Sequence, residues 1–191
     1  MLERLDQHLF LFLNSLNSPF WDQVMYNISG TVIWIPLYLA ILVALGVKYK
    51  KKFLVLILMI IIAITLSDQG SVFFKNSIHR LRPCHEPALE GLVHLVKGRC
   101  GGKFGFVSSH ASNTFTAAIL SLLLIKRKWF TYSMIFWAIV VGYSRIYLGV
   151  HYPGDVICGS LLGLLIGWGV YKFYQLIDRK LLSGVKFFNR V

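Results

Sequence analysis

Phe53 to Leu66 reads FLVLILMIIIAITL, fourteen residues with one hydroxyl and no charge, and the span runs on to Phe74 through two turns that carry Ser67, Asp68, Gln69 and Ser71. Such a run suits a helix crossing the roughly 30 Å hydrocarbon core of a bilayer, where each backbone polar group must find its partner within the helix. Four further apolar stretches, 29–47, 109–125, 129–148 and 155–177, are of similar length. Together they predict an all-α integral membrane bundle with about five transmembrane helices. A mean hydropathy of +0.63 and a hydrophobic content of 56% agree with that class.

Ahead of these spans, Leu2, Leu5, Leu9, Phe12, Leu13 and Leu16 recur at helical spacing, with Glu3, Arg4, Asp6, Gln7 and Asn14 between them. This predicts an amphipathic helix lying in the membrane interface, six helices in all. Asn17-Ser18-Pro19 ends it, and a polar stretch through Asp22 and Asn27 leads to the first span, which Pro36 interrupts mildly. The charged N-terminal segment lacks a basic region followed by a small-residue cleavage site, so the first span is expected to serve as an uncleaved anchor. By length, 1–191 is one domain, with 76–107 its long extramembrane loop.

The net charge of +12 is clustered at span ends. That argues against nucleic-acid binding, which wants a continuous basic surface. Lys48 to Lys52, Lys126 to Lys128 and the tail (Lys172, Arg179, Lys180, Lys186, Arg190) mark the cytoplasmic side by the positive-inside rule. Lys75, Arg80, Arg82, Lys97, Arg99, Lys103 and Arg145 fall on the opposite side, against that rule. An anionic substrate would explain them.

With about five spans, the end of the second, the start of the third, the end of the fourth and the start of the fifth share one face. Three polar groups occupy those ends: Lys75 to Pro83, then Ser108-Ser109-His110, then Ser144 to Asp155. In the last, Pro153 suits the first position of a helix, which puts Asp155 in the first turn near His151. A carboxylate there can fix the imidazole tautomer and leave the other nitrogen as a nucleophile. Lys75, Arg82 and Arg145 can neutralise a phosphoryl group, and the helix start at Ser108, Ser109 and His110 adds donors. No carboxylate cluster of the kind Mg²⁺ requires is present, and His79, His85, His94, Glu86 and Glu90 match no zinc spacing. The pocket is expected to work without metal or cofactor.

Lys75, six residues, Arg82-Pro83; Ser108-x-His110; Ser144-Arg145, five residues, His151, three residues, Asp155. This order and spacing resembles the three-part signature of the type 2 phosphatidic-acid phosphatase superfamily, which is related to the vanadium haloperoxidases. Ser109 stands where that family usually has glycine. The resemblance implies that His151 attacks phosphorus to give a phosphohistidine, Asp155 orients it, and His110 protonates the leaving oxygen and then activates water. It implies that Lys75, Arg82, Ser108, Ser109 and Arg145 hold the phosphoryl group.

The implied function is a membrane lipid phosphatase acting on undecaprenyl pyrophosphate, lipid A 1-phosphate, phosphatidylglycerophosphate or phosphatidate. Alternatives are a lipid phosphotransferase and a non-catalytic lipid-binding protein. The expected location is a bacterial inner membrane with the site on the periplasmic side; no oligomeric state is implied. His79 and Arg80, beside the first motif, are expected to contact the headgroup. Cys84 and Cys100 flank most of the loop, and an oxidising compartment would permit a disulfide between them.

Overall fold

The structure, a computed structural model, describes residues 2–179; Lys180, Lys186 and Arg190, counted above with the cytoplasmic side, lie outside them. Seven α-helices are described: α1 (Leu2–Asn14), α2 (Pro19–Ser29), α3 (Ile35–Tyr49), α4 (Phe53–Ile78), α5 (Ser109–Ile125), α6 (Lys128–Tyr147) and α7 (Pro153–Ile177). Six of them match the expected six. The seventh, α2, forms in the stretch expected to be a polar connection. Ser18 caps it by accepting from the Trp21 N–H, Pro19 occupies its first turn, and Asp22 favours its positive end.

Val32–Ile78, which holds α3 and α4, and Pro153–Ile177 are long and apolar enough to cross a membrane, and α5 is a shorter apolar helix. Pro36 falls in the first turn of α3, where a missing N–H costs nothing, so it does not interrupt a span as expected. Helix α1 turns Leu5, Leu9 and Phe12 outward and buries Phe10 and Asn14. An outward apolar face of this kind suits the membrane interface.

The core is built on α5 and α7. Gly159, Gly163 and Gly167 form a ridge on α7 at four-residue spacing that lies against the α5 backbone. A Cβ at Gly163 would come within 2.2 Å of the Ser112 carbonyl oxygen, so only glycine permits this approach. Helix α4 meets the same α5 through paired hydroxyls: Ser67 with Ser112 and Ser71 with Ser109, each at 2.6 Å. Ser67, Ser71 and Lys75 are successive members of one α4 face, which carries polar contacts from mid-helix to the loop. At the far end Lys48 Nζ donates to the Leu124 and Ile125 carbonyls and Tyr49 to Leu124, satisfying the C-terminus of α5.

Candidate active site

Four chain segments meet at the other end of the bundle. The turn after α6 is sharp because Gly149, at φ +79°, accepts a left-handed conformation, and a Cβ there would strike the His94 carbonyl at 2.7 Å. The turn brings His151 back over the bundle end. Tyr152 then caps α7, with its N–H donating to Asp155 Oδ2 at 3.0 Å. The Ser108 N–H donates to the Asp155 carbonyl at 3.0 Å, which ties the start of α5 to the first turn of α7. Ser108 accepts from the Ala111 N–H, and the geometry of a helix start leaves the Ser109 and His110 amides without intrahelical partners.

Ser109, His110, Arg82, Arg145 and His151 line one cavity of about 890 Å³. Arg82 Nη1 reaches His151 Nε2 at 3.3 Å and the Val150 carbonyl at 3.4 Å. A guanidinium only donates, so Nε2 is the accepting nitrogen and the neutral ring carries its proton on Nδ1. Nδ1 lies 3.5 Å from Asp155 Oδ2, looser than the hydrogen bond expected from sequence; such pairs often tighten only with substrate in place. Burial, followed by the charges of Arg82, Arg145 and Lys75, holds the His151 imidazole well below its ordinary pKa, so the ring is neutral. Lys75 donates to Ser109 Oγ, and Arg145 to Ser29 Oγ at the end of α2. The buried Nε atoms of Arg82 and Arg145 have no protein partner, which fits a pocket built for an anion.

Of the residues singled out from sequence, the structure therefore brings Arg82, Ser109, His110, Arg145 and His151 to one cavity. Ser108 and Asp155 lie directly behind it, and Lys75 reaches it through Ser109. His79 and Arg80 do not line that cavity. His79 ends α4 at φ +55° and packs its ring against Phe104 at 4.7 Å. Arg80 turns inward, bonding Asp6 at 2.7 Å and Asp155 at 2.8 Å, because two carboxylates stand on that side. Cys84 and Cys100 form a disulfide with Cα atoms 6.0 Å apart, and the neighbouring Gly101 backs the Arg82 guanidinium.

The PAP2 superfamily model matches residues 52–179. The chain belongs to this superfamily. It is 39% identical to the lipid A 4'-phosphatase of Bacteroides thetaiotaomicron over 95% of this chain and 82% of that protein. To the protein of the same name from Porphyromonas gingivalis it is 36% identical, over 88% and 72%. Among solved structures it resembles the transmembrane PAP2 type phosphatidylglycerolphosphate phosphatase of Bacillus subtilis, with a TM-score of 0.72, 25% identity and coverage of 94% and 89%. Aquifex aeolicus LpxE gives 0.70, at 27% identity and coverage of 88% and 95%. The bundle is thus the PAP2 fold, and the named relatives are phosphatases.

Three further residues contact this candidate site without having been singled out for it from the sequence. Asp6 and Ser29 contact Arg80 and Arg145, and Asn14 donates to the Ile146 and Tyr147 carbonyls at 3.3 and 2.8 Å. Each lies more than 70 residues from its partner, so no local spacing points to it. The one available signal is periodicity: Asp6, Phe10 and Asn14 share a helix face turned away from Leu5, Leu9 and Phe12.

Proposed function

We propose that this protein is an integral membrane lipid phosphatase that cleaves a phosphate monoester or diphosphate through a phosphohistidine on His151. The observation carrying this reading is the contact of Arg82 with His151 Nε2 inside a cationic cavity. It leaves an unprotonated imidazole nitrogen where a phosphoryl group would be held.

In the first step Nε2 attacks phosphorus, the bond to the leaving oxygen breaks, and His110, protonated once the anionic substrate offsets the cations around it, supplies that proton to the leaving oxygen. In the second, His110 takes a proton from water, and the hydroxide displaces the imidazole to release phosphate. Arg82, Arg145, Lys75 and the amides at the start of α5 stabilise the charge spread over the equatorial oxygens, and such positioning supplies most of the catalysis in phosphoryl transfer. Asp155 favours the proton on Nδ1 and the imidazolium character that develops there. No step calls on a metal.

The cavity sits at the bundle end opposite Lys50–Lys52 and Lys126–Lys128. The positive-inside rule supports a site on the non-cytoplasmic face, which in a bacterial inner membrane is the periplasm. Lipid A phosphates and prenyl diphosphates are the favoured substrates, in keeping with the names of relatives, lipid A 4'-phosphatases and a putative undecaprenyl-diphosphatase of Escherichia coli. The test is phosphate release in detergent from lipid A, undecaprenyl diphosphate, phosphatidylglycerophosphate and phosphatidate, with the His151→Ala variant as blank. Release should persist in EDTA, fall with vanadate and vanish in the variant. Adding an acceptor lipid separates hydrolysis from phosphotransfer.

A further inference from the structure

Arg80 stands between two carboxylates. Its Nη1 donates to Asp155 Oδ1 at 2.8 Å and its Nη2 to Asp6 Oδ2 at 2.7 Å, while its guanidinium lies 4.1 Å over the Tyr152 ring. The other Asp6 oxygen accepts from the Gly154 N–H at 2.8 Å. Phe10, one helical turn further along α1, packs edge-on against the same Tyr152 at 5.4 Å. Asn14, a further turn on, accepts from the His94 N–H at 2.8 Å and donates to the end of α6. One face of the N-terminal helix thus touches both ends of the segment that carries His151.

We propose that Asp6, acting through Arg80, is a positioning residue for the His151–Asp155 pair. The arginine fork can bond one carboxylate through two parallel hydrogen bonds or two carboxylates through one each. Asp6 enforces the second arrangement. Arg80 then occupies only Oδ1 of Asp155, and Oδ2 remains for the Tyr152 amide and His151 Nδ1. Without Asp6 the freed fork closes on both oxygens of Asp155 and draws Oδ2 from the imidazole. The Arg80 and Asp6 side chains are only 18% and 16% exposed, so water competes weakly for these bonds. The face of α1 that carries Leu5, Leu9 and Phe12 is apolar and turned outward, as suits a helix at the membrane interface.

This inference rests on the proposed roles of His151 and Asp155, and its test separates the two. Full-length Asp6→Ala, Asp6→Asn, Arg80→Lys and Asp155→Asn proteins, and the Asp6→Ala/Asp155→Asn double variant, are assayed with farnesyl diphosphate in detergent. Thermal unfolding is followed in parallel. Asp6→Ala should lower kcat about 10- to 100-fold with KM changed less than about threefold. Asp6→Asn, whose amide oxygen still accepts from Arg80, should recover part of the loss. In the Asp155→Asn background, Asp6→Ala should cost little more, since both act on one imidazole. Arg80→Lys keeps the charge without the fork and should also lower kcat, which tests the relay if Asp6→Ala folds poorly. A lower melting temperature with unchanged kcat per folded enzyme, or losses that multiply independently, would overturn the proposal. Full activity in Asp155→Asn would instead overturn the catalytic reading beneath it.

Discussion

Arg82 and His151 meet through Nη1 and Nε2 at 3.3 Å, at the mouth of a turn that only Gly149 allows. The contact is between a permanent cation and a ring whose own charge is suppressed. Burial removes the imidazole from water, and Arg82, Arg145 and Lys75 repel a second positive charge. The ring is therefore kept neutral in the folded protein.

Stability should consequently depend on pH through His151. Its folded pKa lies below the unfolded value of about 6.5, so the unfolded chain binds the extra proton first. Above about pH 6.5 the group is neutral in both states and has no effect. As pH falls below that, stability is lost at up to about 1.4 kcal/mol per pH unit until the folded ring also protonates. Thermal unfolding of the wild type between pH 7.5 and 5 should fall more steeply than that of His151→Gln; parallel curves would contradict this.

Packing of α5 on α7 predicts opposite outcomes for two glycines. Gly163→Ala places a methyl 2.2 Å from the Ser112 carbonyl and should destabilise by about 1–3 kcal/mol. At Gly169 nothing lies within 4 Å of an added Cβ, so Gly169→Ala should be neutral or stabilising by up to about 1 kcal/mol through helix propensity. Melting temperatures in one detergent compare the two directly.

The Cys84–Cys100 bridge closes a sequence separation of 16, which in the chain-entropy model is worth about 3 kcal/mol. Gly101 beside it faces the Arg82 guanidinium, so that a Cβ added there would lie 3.6 Å from Nη1. The Cys84→Ser/Cys100→Ser variant should melt earlier and show a higher KM for substrate, because Arg82 loses its support. Maleimide should label neither cysteine in unreduced, denatured wild-type protein and both after reduction.

Much of this site could be read from the chain because its parts are local. Lys75, Arg82, Ser108, His110, Arg145, His151 and Asp155 sit at helix ends, and apolar runs of bilayer length dictate which ends come together. The long-range supports could not be read in this way. Ser29 lies on a helix that its polar composition disguised, and it bonds Arg145 only because α2 folds back on α6. The partners of Arg80 are hidden from the sequence for a related reason. Its position beside the first motif suggested a headgroup contact, whereas the tertiary placement of Asp6, 74 residues away, turns it inward.

The central claim is that His151 becomes phosphorylated, and trapping that intermediate tests it most directly. Enzyme mixed with a radiophosphate-labelled prenyl diphosphate, quenched in alkali within milliseconds and mapped by mass spectrometry, should carry phosphate on the peptide containing His151. The His151→Ala protein should carry none and release none. Label on any other residue, or undiminished phosphate release by His151→Ala, would contradict the account.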